Sequence, residues 1–168
     1  NFEIIKETPT TAVIDGHHGM GQVIGHKAMS MAIAKAKEYG MGMVVVRNSC
    51  HYGIAGYYPS MACKEGCIGI TGTNARPSVA PTFGVEGMFG TNPLTIVIPT
   101  DEDFDLLIDC ASSITQDGKV EYYERINEDL RQNFQKIATF SLKSRQITVF
   151  TDYFCQNYCI FLDFLLQY

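Results

Sequence analysis

His51 is the side chain of this sequence best suited to acid/base chemistry, because an imidazole changes its charge near neutral pH. It follows four consecutive apolar residues, Met43 to Val46, which predict a short buried strand, and a helix is predicted to begin near Gly53. Open α/β sheets bind ligands at the carboxyl ends of such strands. We therefore predict that His51 is an acid/base group. A loop histidine with only local hydrogen bonds is the alternative.

Carboxylates accompany the later strands. Asp109 ends a predicted core strand at Leu106 to Ile108, and Asp101 and Asp103 lie in an acidic turn before it. An aspartate at a strand end caps a turn, binds a ribose hydroxyl or orients a histidine, and its position favours the cap for Asp109. The paired acids at 101 and 103 indicate a solvated turn rather than a catalytic pair.

Two glycine-rich segments offer backbone N–H groups to an anionic ligand. Gly19, Gly21 and Gly25 follow a predicted strand with a spacing one residue longer than a dinucleotide fingerprint, and Arg47 after the next strand would suit a 2′-phosphate. Glycines in a tight connection often serve only the turn, which is the competing interpretation. The segment 72–93 is rich in Gly and Pro and is predicted to be an ordered binding loop. Its predicted anchors are apolar: Val79, Phe83, Val85, Met88 and Phe89.

The elements that would position these groups follow from periodicity. A helix is predicted from Gly25, with Gly40 as its stop, and the order strand, glycine loop, helix, strand predicts a βαβ unit. One face of this helix carries the apolar residues Ala28, Met29, Ala32, Ile33 and Ala36. The other predicted elements are strands at 10–14, 67–71 and 94–98 and a helix at 55–65 whose first turn contains Pro59.

Charge and cysteine usage exclude several classes of protein. The net charge of the 168 residues is -5 and the pI is near 5.3, which argues against nucleic acid or anionic membrane as a partner. The six cysteines lie in apolar surroundings without zinc-site spacing, so we predict reduced, buried thiols and no metal. No secretory signal is evident, and we expect a cytoplasmic protein.

The composition changes sharply along the chain. All fifteen glycines lie at or before Gly118 and all six prolines at or before Pro99. The segment 119–135 is charged and is predicted to be helical, whereas the aromatic segment 148–168 is too interrupted by polar residues for a transmembrane helix. We interpret residues 128–168 as an atypical tail, mistranslated or from a defective gene model. A genuine membrane-surface or partner-binding tail is the alternative.

Several of these motifs together resemble one known family. From about residue 10 to about residue 127, the sequence is similar to the type-2 malate/L-lactate dehydrogenase family, which includes sulfolactate and ureidoglycolate dehydrogenases. The resemblance implies a truncated α/β protein with the family's mixed-sheet, non-Rossmann NAD(P)-binding fold, so the fingerprint interpretation of Gly19 to Gly25 is set aside. The strings that carry the resemblance are DGHHGMGQVIGHKAM, VVVRNSCHYGIAGYY, IGITGTNARPSVAPTFGVEGMFGTNPL and LIDCASS.

The resemblance also implies roles for individual residues. His51 matches the histidine of the NSxHxG motif, which is the acid/base residue of the family. Hydride transfer with NAD or NADP would interconvert a 2-hydroxy acid and its 2-oxo acid on a homodimer. The positions that match the family's cofactor contacts are Asn74, Ala75, Thr91, Asn92, Asp109, Cys110 and Ala111, and Ala75 stands where some members have serine.

Departures from the family limit what the resemblance implies. An amino-terminal SHG motif with a following arginine, and the pattern expected after about residue 127, are absent from this sequence. We therefore expect residues 1–127 to be the central part of the dehydrogenase domain, with little or no activity by themselves. The alternative function is that of an inactive truncated relative acting as an interaction or dimerisation module. The resemblance does not choose between malate, lactate, sulfolactate and ureidoglycolate, or between NAD and NADP.

Overall fold

The structure is a computed structural model that describes residues 2–81, 83–113, 122–126 and 161–167. Strands and helices alternate in the first half, and strands dominate after α2. The elements are β1 (Glu3–Glu7), β2 (Thr11–Gly19), α1 (Gly21–Tyr39), β3 (Met41–Ser49), α2 (Tyr57–Cys63), β4 (Cys67–Gly72), β5 (Leu94–Ile98), β6 (Leu106–Cys110) and β7 (Phe161–Gln167).

The described strands form one mixed sheet in the order β1-β2-β3-β7-β4-β5-β6. β2 and β3 are parallel and are joined by α1, which confirms the predicted βαβ unit. The other neighbouring strands are antiparallel. A doubly wound Rossmann sheet needs a series of parallel strands, so the mixed, non-Rossmann fold is confirmed.

Helix α1 packs its predicted apolar face on the sheet. All five residues of that face are buried, as the helical spacing predicts. The helix ends at Gly40, which has a φ of 83° and donates its N–H to the carbonyl of Ala36 at 2.7 Å. A left-handed residue of this kind closes a helix at little cost only when it is glycine. The core that α1 covers is built mainly from small and β-branched residues: Ala12, Ile14, Ala28, Met29, Ala32, Ala36, Val44 and Val46.

The segment after Ile14 differs from the turn predicted there. β2 continues to Gly19, and α1 begins at Gly21, four residues before the predicted start. His17 and His18 have φ values of 47° and 55°, and the pairing of β2 with β3 shifts register between Asp15 and Gly19. The turn-forming residues therefore produce a bulge within a strand instead of ending it.

Two predictions of burial were wrong. Leu106, Leu107 and Ile108 form a strand, but each is about half exposed, so β6 is not a core strand. The apolar residues of loop 73–93 were expected to anchor it, yet Phe83 and Val85 are fully exposed. Within this loop, the backbones of Val79 and Phe89 form an isolated antiparallel β-bridge.

The prediction of buried thiols holds for only part of the chain. Cys63 and Cys67 are buried, and burial, with the neighbouring Asp105, raises the pKa of the Cys63 thiol to about 11. Cys50 and Cys110 are exposed, because the first lies in the loop after β3 and the second on the exposed strand β6. The other two cysteines lie outside the described residues.

Most of the atypical tail and the helix predicted at 119–135 also lie outside the described residues. Within that helix, residues 122–125 form one helical turn. Within the tail, β7 pairs with both β3 and β4.

Candidate active site

The segment 50–56 carries His51 from the end of β3 to the start of α2; we call it the His51 segment. The N–H of Cys50 donates to the carbonyl of Gly19 at 3.2 Å, which ties the segment to the end of β2. His51 is exposed, and its Nδ1 accepts the N–H of Gly53 at 3.0 Å. Gly53 has a φ of 85°, a conformation that side chains disfavour. The imidazole therefore lies at the strand end where it was predicted, with one nitrogen engaged.

The Gly53 contact determines which nitrogen of His51 can act. A nitrogen that accepts an N–H bond is unprotonated, so the neutral ring carries its proton on Nε2. Among the described residues, Nε2 of His51 has no hydrogen-bond partner. In this arrangement the ring can donate from Nε2 to a ligand oxygen. To receive a proton at Nε2, the ring must instead carry a proton on Nδ1, which requires release of the Gly53 contact.

A carboxylate network fixes the chain just before the His51 segment. Asp15 is only 6% exposed. Its Oδ2 accepts bonds from Arg47 Nε and Asn48 Nδ2, and its Oδ1 accepts the backbone N–H of His17, each at 2.9 Å. The His17 bond contributes most to lowering the pKa of Asp15; Asn48 and Arg47 add to this, and burial opposes it. The network also holds Asn48 at a φ of 52°, where the chain turns toward His51.

Asp109 holds the other end of the His51 segment. Its Oδ2 accepts the backbone N–H of Gly56 and its Oδ1 accepts the hydroxyl of Thr95, both at 2.8 Å. Gly56 immediately precedes α2, so Asp109 makes a cap contact at the start of that helix. Asp109 therefore does not cap a local turn, as the preferred interpretation expected, but holds the backbone at the start of a helix that is distant in sequence.

Three segments predicted to contact a cofactor lie together. The N–H of Ala75 donates to Oδ1 of Asn92 at 2.9 Å, which joins the loop after β4 to the segment before β5. The carbonyl of Thr91 accepts bonds from the backbone N–H and the hydroxyl of Ser112, at 2.8 and 3.0 Å, just beyond Ala111. A Cβ at Gly90 would lie 2.4 Å from the carbonyl of Ala75, so this approach requires glycine.

The remaining predicted residues flank this group. Asn74 is half-buried beside Ala75. Cys110 is exposed at the end of β6, where it pairs with Leu94 of β5, and successive residues of a strand face opposite sides of the sheet. The side chains of Cys110 and Asp109 therefore lie on opposite faces.

An apolar cavity of about 600 Å³ lies beside the His51 segment. Two basic residues of α1, His26 and Lys27, contribute to its wall. Its size is within the range of small-molecule sites. The other lining residues are Gln22, Val23, Tyr52, Gly53, Ile54, Tyr57 and Tyr58.

Several residues that hold the site were not predicted. Thr95 and Gly56 carry no signal in the sequence, because their contacts with Asp109 depend on the fold. Asp15 and Arg47 did carry a signal in the sequence, since opposite charges at the ends of two predicted parallel strands can be expected to meet. In the structure the two residues are partners in the β2–β3 register.

Metal-binding clusters and membrane-spanning helices are absent from the described part of the chain. No three side chains of the metal-binding types converge among the residues that the structure describes. Neither described helix has both the length and the hydropathy needed to cross a bilayer.

Comparison with known proteins identifies the family. The sequence profile described as malate/L-lactate dehydrogenase matches residues 1–135. The malate dehydrogenase of Pyrococcus horikoshii is 50% identical over 133 residues, which are 79% of this chain and 37% of that protein. The L-sulfolactate dehydrogenase of Methanocaldococcus jannaschii is 47% identical over 120 residues, covering 71% of this chain and 35% of that protein.

A solved structure agrees in fold as well as in sequence. The malate dehydrogenase from Entamoeba histolytica superposes with a TM-score of 0.71 and 60% identity, over 75% of this chain and 35% of that one. The chain thus spans little more than a third of the length of these relatives. The match to the family profile covers most of the chain, and the chain therefore belongs to the malate/L-lactate dehydrogenase family.

Proposed function

We propose that this chain provides the acid/base histidine and part of the cofactor site of an NAD(P)-dependent 2-hydroxy acid dehydrogenase. The observation that carries the proposal is the placement of His51, with Nε2 open to a ligand, at the end of β3 in a member of this family. The names of its relatives, malate dehydrogenase and L-sulfolactate dehydrogenase, support a 2-hydroxy acid as the substrate.

The residues around Asn92 suit a nicotinamide cofactor. The side chains of Asn74 and Thr91 and the amide nitrogen of Asn92 are neutral groups of the kind that bind ribose hydroxyls and a carboxamide. Ala75 lies beside them, with its N–H bonded to Oδ1 of Asn92. A bound NAD or NADP would supply or accept the hydride. Asp109, Cys110 and Ala111 would border the cofactor at the end of β6. Arg47 is engaged with Asp15, so it offers no argument for a 2′-phosphate.

His51 would move the proton that accompanies the hydride. In reduction, a doubly protonated ring gives its Nε2 proton to the carbonyl oxygen of the 2-oxo acid and keeps its Nδ1 proton. In oxidation, Nε2 takes the hydroxyl proton back. Both steps require a proton on Nδ1, so the Gly53 contact is proposed to be a resting arrangement that opens when substrate binds.

Further parts of the proposal follow from the family alone. The complete enzyme is proposed to be a cytoplasmic homodimer that uses NAD or NADP. Because the 133 matched residues span 37% of the length of the Pyrococcus horikoshii malate dehydrogenase, we expect the chain alone to show little or no dehydrogenase activity. The second candidate, an inactive interaction or dimerisation module, is favoured by the exposed apolar residues of β6 and loop 73–93.

A chimeric enzyme tests the proposal directly. Residues 10–127 of this chain would replace the corresponding segment of the Pyrococcus horikoshii malate dehydrogenase, and NAD(P)H oxidation would be followed with oxaloacetate and other 2-oxo acids. We expect an active chimera in which His51→Asn lowers kcat by about 10² to 10⁴, the usual contribution of acid/base catalysis.

The matched control is His18→Asn, which changes another exposed histidine at the end of the neighbouring strand β2. This variant should retain activity. An inactive chimera that folds, or equal losses in the two variants, would contradict the proposed role of His51. The unmodified 168-residue chain would be assayed in parallel, and measurable NADH oxidation by it would overturn the expectation that it is inactive alone.

A further inference from the structure

The side chain of Asp109 connects two parts of the candidate site. One carboxylate oxygen accepts the N–H of Gly56, at the end of the His51 segment. The other accepts the hydroxyl of Thr95, which is fully buried in β5. A carboxylate with both oxygens engaged by different elements has a fixed orientation, since rotation would break both bonds.

The backbone of β6 extends this connection toward the proposed cofactor residues. Three positions beyond Asp109, Ser112 donates its N–H and its hydroxyl to the carbonyl of Thr91. Beside it, Asn92 accepts the N–H of Ala75. A continuous path of hydrogen bonds and backbone therefore runs from Gly56 through Asp109 to the loop after β4.

The carboxylate of Asp109 approaches the backbone of Gly56 closely. A Cβ at this position would lie 2.8 Å from Oδ2 of Asp109 and 3.6 Å from the side chain of Leu107. The absence of a side chain thus permits the carboxylate to reach the backbone N–H. The charged acceptor makes this a stronger bond than one between neutral groups.

We propose that Asp109 is a positioning residue that sets the place of His51 relative to the cofactor residues. The proposal rests on the proposed function for the role of His51, and it gives the Asp109 carboxylate a task besides bordering the cofactor. Asp109 holds the carboxyl end of the His51 segment, while the Asp15 network holds the chain before it. Loss of the Asp109 contact would free residues 51–56 at one end and weaken the bond between Gly53 and Nδ1 of His51.

The neighbouring strand offers a matched control. Thr71, Thr95 and Asp109 occupy one row across β4, β5 and β6, because Thr71 pairs with Thr95 and Thr95 pairs with Asp109. Thr71 and Thr95 are both fully buried. Only Thr95 contacts Asp109, and the Thr71 hydroxyl has no hydrogen-bond partner among the described residues. Thr95→Val and Thr71→Val therefore make the same chemical change, but only the first removes support for Asp109.

Nitrogen-15 NMR spectroscopy of the full 168-residue chain tests the proposal and requires no enzymatic activity. In the unmodified chain, the Gly56 amide should exchange slowly with solvent deuterium, because its N–H is bonded to the carboxylate of Asp109. This protection should be reduced in Asp109→Asn. The ring nitrogens of His51 should report Nδ1 as an unprotonated acceptor, and this preference should be reduced in Asp109→Asn and Thr95→Val. Thr95→Ser should restore it and Thr71→Val should retain it.

The opposite results would overturn the proposal. If the Gly56 amide exchanges equally fast in the unmodified chain and in Asp109→Asn, the bond to Asp109 is absent in solution. If the Gly56 protection changes while the His51 nitrogens are the same in all variants, Asp109 holds the start of α2 but does not position His51. Equal effects of Thr95→Val and Thr71→Val would indicate a general loss of packing instead of a specific role.

NADH titration of the same proteins separates this proposal from the proposed function. A positioning role predicts changed His51 nitrogens in Asp109→Asn whatever its NADH affinity, whereas a direct charged hydrogen bond to the cofactor alone predicts a loss of affinity of about tenfold or more with the His51 nitrogens unchanged. A loss of that size in Asp109→Asn with unchanged His51 nitrogens would overturn the positioning role. If the unmodified chain binds no NADH, the proposed function loses its cofactor site, and the NMR results still decide the role of Asp109.

Discussion

β3 and β6 contain apolar runs of similar length, yet their side chains have different surroundings. Val44 and Val46 of β3 are fully buried, whereas Leu106, Leu107 and Ile108 of β6 are 48–50% exposed. β3 lies inside the sheet and is covered by α1, while β6 is the last strand of the sheet, and α2 packs on β4 and β5. The difference shows that an apolar run indicates a strand, whereas burial depends on the layer that covers it.

The candidate site lies where these two regions meet. His51 leaves the end of the buried strand β3, and Asp109 lies on the exposed strand β6. The carboxylate of Asp109 connects them through Gly56. The position of His51 thus depends on one well-packed region and on one that has few neighbours among the described residues.

Truncation of a core side chain should separate the two regions most clearly. Met29 of α1 is fully buried against the sheet, and Met29→Ala should lower the free energy of unfolding by about 2 to 5 kcal/mol through lost burial and a new cavity. Ile108→Ala truncates an apolar side chain of similar size at a half-exposed position. It should lower the free energy of unfolding by less than about 1 kcal/mol. Urea unfolding followed by circular dichroism measures both. Equal losses would mean that β6 is covered in solution.

A smaller effect is expected from Gly21→Ala at the start of α1. A Cβ there would lie 2.2 Å from the carbonyl oxygen of Cys50 and 2.4 Å from that of His51, so the backbone of the His51 segment must shift. We expect a loss of about 1 to 3 kcal/mol in the free energy of unfolding, together with changed His51 resonances.

Gly40→Ala is the matched control for Gly21→Ala, at the opposite end of the same helix. No atom lies within 4 Å of a Cβ at Gly40, but its φ of 83° disfavours alanine. Gly40→Ala should lower the free energy of unfolding by about 1 kcal/mol and leave the His51 resonances unchanged. If Gly40→Ala moved the His51 resonances as much as Gly21→Ala, the close contact at Gly21 would not be the cause.

The contrast between these regions also explains what the sequence could predict. The apolar face of α1, its end at Gly40 and the placement of His51 after β3 follow from local periodicity and turn chemistry, and the structure agrees with each. The exposure of Ile108 was not predictable, because it depends on which element covers β6. The contacts of Asp109 join residues 14 and 53 positions apart, and no local pattern specifies them. The family motifs predict which segments contribute to the site, but they do not specify how these segments are held together.

The smallest effect should come from Asp15, whose carboxylate holds the chain just before the His51 segment. Because the folded state lowers the pKa of Asp15 below its ordinary value of 3.8, the carboxylate contributes stability above that pH, and this contribution is lost as pH falls through the lower folded-state pKa. Asp15→Asn should therefore be less stable than the unmodified chain at pH 6, and the difference should shrink as the pH falls below 4. Urea unfolding at a series of pH values measures it.

Asp101→Asn is the control, since Asp101 is an exposed carboxylate in the acidic turn before β6. At pH 6 its stability should equal that of the unmodified chain. A pH-independent loss in Asp15→Asn would mean that the amide fails to fit beside Arg47 for steric reasons, not that the charge of Asp15 stabilises the fold. A stability difference that shrinks with falling pH would instead establish that an ionised carboxylate holds the chain just before the His51 segment, as the bonds from His17, Arg47 and Asn48 imply.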